Sequence, residues 1–310
     1  MATNNSTISL RDSVVAVTGA SGFIGRHLVS RLCDLKAEVH GFARSESSFR
    51  HQRYRDVTLD LTEYDAVRET FGALKPDFVF HLASHVMGAP DFQHVIPAFR
   101  ANLTACVHVL SACAENDVAK GRIVLSGSLV EPPPEQMETV PSSPYAAAKW
   151  AASSYARMFH ALYGLPTAIA RVFMVYGPAQ RDESKLVPYF VKTLLSGKTP
   201  KLTSGTRLID WVYVSDVVDG FIAIATTPGV EGDSIDLGSG QLIATRDFVT
   251  KICELMGTPL RPEIGTLPDR PMEPVFKADV ETSFNKIGWR PKTSLDQGLT
   301  EVIDYYRRRG

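Results

Sequence analysis

Residues 14–25, VVAVTGASGFIG, constrain this chain more than any other stretch. A short apolar run of β type at 14–17 feeds directly into Gly19, Gly22 and Gly25, and a helix-like segment at 26–35 follows at once. Strand, glycine turn and helix in that order make a phosphate cradle. Gly19 permits the tight turn, Gly22 lets a pyrophosphate approach the backbone, and Gly25 lets the helix pack close to the sheet. The unpaired N–H groups at the helix start then face the anion. Glycines in threes also occur in ordinary turns. What gives this triplet weight is its place behind a strand, and its Gly-x-x-Gly-x-x-Gly spacing sets it apart from Gly-x-Gly-x-x-Gly.

The rest of the chain must then build a sheet around a dinucleotide and a pocket for what that dinucleotide oxidises or reduces. A length of 310 residues suffices for one large α/β unit or two coupled domains. With 44% hydrophobic and 22% charged residues the composition is that of an ordinary soluble globular protein. The net charge of −1, without a basic block, implies neither nucleic acid nor an acidic membrane surface as partner. The polar start MATNNSTISLRD has no apolar signal core, and no run approaches the ~20 apolar residues of a membrane span. Cys33, Cys106, Cys113 and Cys253 lack metal-type spacing and read as buried thiols, so a reducing, cytoplasmic location is expected.

In chain order, EVHGFA at 38–43 is a second strand. An NAD site usually carries an acid at the end of this strand, to accept from the ribose hydroxyls. Here Ala43, Arg44 and Ser45 follow instead, and a cation beside a hydroxyl suits a 2′-phosphate, which favours NADP over NAD. A third strand at 57–59 ends at Asp60, which with Leu61 beside it could meet the adenine; a turn carboxylate is the plainer alternative. A helix at 62–74 leads to a fourth strand, FVFHLA at 78–83, apolar enough to be central. A long helix at about 95–116 carries Asn102, and a fifth strand, RIVLS at 122–126, delivers Gly127 and Ser128 to its C-terminal end. This βαβαβ pattern predicts a doubly wound parallel sheet whose ligands lie beyond the carboxyl ends of the strands, where Gly19, Ala83 and Ser128 fall.

The proline-rich loop 131–143 precedes a helix with Ser143 as N-cap and Pro144 as first residue. That helix carries Tyr145 and Lys149, which a spacing of four places on one face. A free tyrosine titrates at about 10 and is a poor base at neutral pH. A nearby ammonium is expected to lower that value, so that the phenol exchanges a proton with a sugar hydroxyl or ketone while hydride moves at a nicotinamide. Ser128 would hydrogen-bond the same oxygen. Tyr-x-x-x-Lys alone is common on helix surfaces; glycine triplet, serine and Tyr-x-x-x-Lys in this order are far more specific.

The sequence resembles the extended short-chain dehydrogenase/reductase family, the NAD(P)-dependent sugar-nucleotide epimerases and dehydratases. The resemblance covers nearly the whole chain: TGASGFIG at 18–25, Asp60-Leu61, HLAS at 81–84, NLTACVHVL at 102–110, SGS at 126–128, YAAAK at 145–149, RVFMVYGP at 171–178, DWVYVSDVVDG at 210–220, DLGSG at 236–240 and GWRPKTSLDQGL at 288–299. It implies Ser128, Tyr145 and Lys149 as catalytic residues. It implies a cofactor site drawn from Gly19, Ser21, Gly22, Phe23, Ile24, Arg44, Asp60, Leu61, Leu82, Ala83, Ser84, Asn102, Tyr145, Lys149 and Val172, with Val172 and Phe173 behind the nicotinamide. Asn102 would also steady the active-site helix. A nucleotide sugar would meet Ser128, Met174, Lys185, Leu186, Val187, Arg207, Asp210 and Arg270 in the second half, where forked guanidinium groups suit a diphosphate.

Several positions depart from the family pattern. Leu129 and Val130 stand where 4,6-dehydratases carry an acid pair, and neither does proton chemistry, so standard dehydration is disfavoured. Glu131 lies one residue further on and reads as a turn carboxylate. Met174 replaces a substrate-binding asparagine, and Ile209 stands where an arginine usually precedes the Asp-aromatic pair. Three functions are then open, in this order: an epimerase acting at a sugar C4, an NADPH-dependent 4-keto sugar-nucleotide reductase, and a non-enzymatic dinucleotide sensor. The resemblance implies a Rossmann-type sheet of about seven strands with a smaller α/β substrate domain. Residues 1–174, with 211–240 returning, would form the first domain, and 175–210 with 241–310 the second. It also implies a homodimer built on the helices at about 95–116 and 145–163.

Overall fold

In the computed structural model, residues 8–45, 49–132, 139–269 and 275–309 are described. The strands are β1 (Val14–Thr18), β2 (Glu38–Ala43), β3 (Tyr54–Thr58), β4 (Phe78–His81), β5 (Arg122–Ser128), β6 (Thr167–Val172), β7 (Met174–Tyr176), β8 (Leu208–Tyr213), β9 (Ser234–Leu237) and β10 (Leu242–Ala244). The α-helices are α1 (Phe23–Asp34), α2 (Tyr64–Leu74), α3 (Val95–Ala98), α4 (Ala105–Glu115), α5 (Pro144–Tyr163), α6 (Leu186–Leu195), α7 (Val214–Thr226), α8 (Thr245–Met256), α9 (Val280–Ile287) and α10 (Leu295–Arg307).

Seven strands form one sheet in the order β3-β2-β1-β4-β5-β6-β9, the doubly wound arrangement expected. All four residues of β4 are buried, which is why this central strand is apolar without alternation. The order reverses between β1 and β4, and ligands bind at such a switch point. Phe42, Phe71, Val79, Leu110, Ile123 and Ile169 form the core that joins this sheet to α2, α4 and α5. The four cysteines are free and buried, Cys106 and Cys113 within that core.

Where elements differ from the sequence reading, pairing explains it. β5 extends to Ser128 because Gly127 and Ser128 pair with Arg171 and Val172 of β6. β3 starts at Tyr54, not at 57, because an edge strand tolerates Arg55 and Asp56 as long as Tyr54 is buried. β4 ends at His81, so Leu82, Ala83 and Ser84 lie in the loop beyond it.

The expected long helix is a composite. A 3₁₀ turn, Phe92–His94, leads through α3 into a π-helical segment, Phe99–Thr104, and then α4. The stretch Phe92–Glu115 is long and apolar enough to cross a membrane by length and composition, contrary to the reading that no run comes near that. Its second half, α4, belongs to the core. Val109 and Leu110 are fully buried there, each contributing about 1.5–3 kcal/mol.

The chain divides into two compact units. The first holds residues 1–172, 218–236 and 281–289; the second holds 173–217, 237–280 and 290–310. The sequence-based boundaries need correction. Residues 173–174, 211–217 and 237–240 belong to the second unit, because β8 pairs with β7 and β10 in a separate three-stranded sheet. Residues 281–289 belong to the first: the Ser283 hydroxyl donates to the Asp236 carbonyl at 2.8 Å, and Lys286 bonds Asp233 at 2.6 Å. Asp236 in turn takes both arms of the Arg171 guanidinium at 2.7 and 2.8 Å, fixing β9 beside β6. In the second unit Trp211 stacks on Phe248 at 3.9 Å and Tyr176 meets Tyr213 and Phe248 edge-on.

Candidate active site

The glycine turn has the tight geometry its spacing demands. Gly19 sits at φ +69°, and a Cβ on it would lie 2.7 Å from the Ala83 nitrogen, so the turn out of β1 presses on the loop after β4. A Cβ on Gly25 would lie 2.2 Å from the Gly19 carbonyl oxygen, so the close approach it permits is of α1 to the turn itself. Gly22 is the N-cap of α1, with no side chain capping and no acid in the first turn. The Phe23 and Ile24 N–H groups therefore head a helix start suited to an anion, and these residues fit the pyrophosphate of a dinucleotide.

Ser128 and Lys149 are both buried, and Tyr145 is half-buried with an enclosed hydroxyl. The Ser143 hydroxyl caps α5 by accepting from the Ala146 N–H at 3.2 Å, and Pro144 opens the helix, which fixes the first turn that carries Tyr145. The Ser128 and Ser84 hydroxyls face the Tyr145 phenol and favour its ionised form. Lys149 Nζ donates to the Ser126 carbonyl at 2.7 Å. The expectation that Lys149 lowers the phenol is corrected. Burial pushes Tyr145 up to about 12, the Ser128 and Ser84 hydroxyls act the other way, and Lys149 is directed to β5. Burial also depresses Lys149, while Glu131 and Cys106 oppose that.

Ser84 links this group to the cradle. It follows Ala83, against which Gly19 packs, and its hydroxyl donates to Asn102 Oδ1 at 3.0 Å. Asn102 also takes the His85 N–H at 2.7 Å and donates to the His85 carbonyl at 3.2 Å. Its amide is thus committed to the 84–85 loop rather than directed at a cofactor, and the π-helical turn is what aims it there. Beneath the loop, Thr18 Oγ1 accepts from the Ala83 N–H at 3.2 Å and meets His81 Nδ1 at 2.9 Å. Burial drops His81 to about 3, so its ring stays neutral.

At the far edge, Arg44 and Asp60 are exposed and Leu61 is buried. Asp60 Oδ1 accepts from the Thr62 N–H at 2.9 Å and from its hydroxyl at 2.8 Å, the turn-carboxylate arrangement. Those bonds, then Arg44 and Arg100, hold it below the ordinary carboxylate range. Val172 is buried, its carbonyl accepting from the Leu129 N–H. Ser21 and Leu82 are half-buried.

The sugar candidates other than Ser128 belong to the second unit. Met174 on β7, Lys185 and Leu186 at the start of α6, and Arg207 before β8 are half-buried. Two are corrected. Val187 is buried in the core of α6. Asp210 is buried with both oxygens taken, Oδ1 by the Ser239 N–H and hydroxyl and Oδ2 by the Gly240 and Ala278 N–H groups, so it builds the 238–240 turn. Arg270 lies outside the described residues.

Glu131 is the residue that sequence reasoning undervalued. It is buried, and its Oε1 accepts the Ser128 N–H at 2.7 Å. A glutamate three residues beyond a candidate catalytic serine, preceded by a glycine at 127, was the available signal.

The model of the NAD dependent epimerase/dehydratase family matches residues 15–238. The chain belongs to this family. Among its relatives, a UDP-glucose 4-epimerase of Mycolicibacterium smegmatis is 30% identical, over 94% of this chain and 98% of its own length. A dTDP-glucose 4,6-dehydratase of Haemophilus influenzae is 28% identical, over 94% and 97%. Among solved structures, MoeE5 in complex with UDP-glucose and NAD superposes with a TM-score of 0.83 at 28% identity, over 95% of this chain and 99% of that one. The UDP-glucose 4-epimerase of Thermotoga maritima shares the fold, with a TM-score of 0.86 at 24% identity, over 96% and 99%. This member of the epimerase/dehydratase family is an enzyme with a Rossmann-type sheet.

Proposed function

We propose that the chain is an NAD(P)-dependent epimerase acting at C4 of a nucleotide-activated hexose. The carrying observation is the continuous contact path within one unit from the glycine turn, through Ala83 and Ser84, to Tyr145, Ser128 and Lys149. When bound, the dinucleotide supplies the hydride acceptor and donor. The cradle at Gly19, Ser21, Gly22, Phe23 and Ile24 would hold its pyrophosphate, with Leu82, Ala83 and Val172 along its length. Tyr145 takes the proton of the sugar C4 hydroxyl as hydride leaves C4 and returns it to the same oxygen when hydride comes back to the opposite face of the ketone, and the Ser128 hydroxyl holds that oxygen. Lys149 holds the end of β5 through the Ser126 carbonyl and would also hold the nicotinamide ribose. UDP-sugars are the substrate class that the named relatives support. Leu129 and Val130 offer no acid pair, which disfavours dehydration.

Arg44, exposed at the end of β2, supports NADP as the preferred dinucleotide. The same cation favours the second reading, a 4-keto sugar reductase that exchanges NADPH each turnover. Gel filtration separates the two. An epimerase carries its dinucleotide through the column; protein that emerges empty, and oxidises added NADPH only with a 4-keto nucleotide sugar, is the reductase. We also propose a homodimer. Phe92, Ile96 and Phe99 before α4, with Tyr155, Leu162 and Tyr163 on α5, leave large apolar surface exposed. A reducing, cytoplasmic location suits four free buried thiols.

A further inference from the structure

Glu131 lies beneath the Ser128–Tyr145–Lys149 group, on the side of α5. One oxygen accepts the Ser128 N–H at 2.7 Å. The Ser153 hydroxyl, two helical turns from Tyr145, faces the same carboxyl and favours its charged form. A Cβ on Gly127 would stand 2.9 Å from Glu131 Oε1 and 2.8 Å from Ile169 Cγ2, so residue 127 is a glycine where the carboxyl folds back under β5. A residue read as a turn carboxylate thus ties the last residue of β5 to the middle of α5, the two elements that bear the reacting side chains.

We propose that Glu131 is a positioning residue of this site, holding Ser128 in register against α5 and supplying the buried negative charge that balances Lys149. Lys149 is buried, and a buried ammonium persists only with an anion or strong acceptors nearby. Its Nζ has the Ser126 carbonyl, a neutral acceptor, and Glu131 is the carboxylate whose field favours its charge. The charged and titratable groups facing Glu131 are Lys149, Arg157 and Tyr145 on α5 and the Cys106 thiol on α4. Lys149 and Arg157 favour the carboxylate, against the burial that raises it. The carboxylate in turn opposes ionisation of the Tyr145 phenol. Glu131 therefore sets how readily Tyr145 gives up its proton without touching substrate.

The inference rests on the proposed roles of Tyr145 and Lys149, but its test needs no turnover. Protein carrying ¹³Cζ-labelled tyrosine is titrated by NMR from about pH 8 to 11, where the Tyr145 phenol begins to ionise. The Tyr145 resonance is assigned from the Tyr145→Phe variant. Glu131→Gln keeps an acceptor for the Ser128 N–H and removes the charge. In it the onset of Tyr145 ionisation falls by roughly half a pH unit or more, about a threefold rise in phenolate at a fixed pH. An onset that stays in place, or moves up, in a folded Glu131→Gln protein overturns the proposal. If that variant does not fold, Glu131→Asp, which shortens the side chain and withdraws the charge toward its own backbone, shifts the onset the same way by less, and no shift there overturns it equally. Failure of the wild type to interconvert UDP-hexoses counts against the epimerase reading alone and leaves the titration to decide on Glu131.

Discussion

Tyr145 with its phenol pushed up to about 12 is a proton donor at neutral pH, and its base form grows tenfold with each pH unit. Oxidation of a sugar hydroxyl needs that base form. Its kcat should therefore rise with pH between about 6 and 9, and a flat profile would remove Tyr145 as the base. Tyr145→Phe should cut turnover by about 10²–10⁴-fold and leave dinucleotide binding intact; unchanged turnover would refute the assignment. Arg44→Ala should weaken NADP about tenfold or more and NAD little, and equal losses would remove the ground for preferring NADP. Tyr145 and Lys149 were legible because a spacing of four fixes a shared helix face whatever the fold around it. The direction of the Tyr145 shift was not, because it depends on burial and on where Lys149 Nζ points, neither of which a spacing contains. Asp210 shows the same limit: its residue type suits a ligand, while its four hydrogen bonds build a turn.

At the scale of elements, the cradle depends on how closely α1 approaches the turn. Gly25→Ala would set a methyl 2.2 Å from the Gly19 carbonyl, so turn or helix must shift by about 1 Å. Dinucleotide affinity, measured by fluorescence titration of the reduced cofactor, should fall at least tenfold; wild-type affinity would mean that this turn does not hold the pyrophosphate. β1, β2 and α5 were legible to within a residue or so at their ends, since each carries a local signal: an apolar run, an alternation, a Ser-Pro cap. β3 was displaced because its charged residues sit on a sheet edge, which sequence periodicity does not reveal. The π-helical turn at Asn102 was invisible as such, because nothing in NLT separates a π turn from an α turn.

For the whole molecule, the two units are interleaved in sequence, and the return points at 218 and 281 fall inside α7 and near the start of α9, where composition marks no boundary. Arg122 illustrates how returning segments are held in the first unit. Its fully buried guanidinium, at the start of β5, reaches the Thr227 carbonyl at 2.9 Å and Glu231 at 2.7 Å. The apolar surface before α4 and on α5 should close a dimer interface. Phe99→Asp should yield a monomer by sedimentation, and a wild-type monomer would dismiss the homodimer. The epimerase account is tested most directly by following C4 deuterium in UDP-glucose incubated with the purified protein and no added cofactor. It predicts UDP-galactose that keeps the label at C4, since the same hydride is withdrawn and returned. Loss of the label to solvent or to free cofactor, or no interconversion of any UDP-hexose offered, would contradict it.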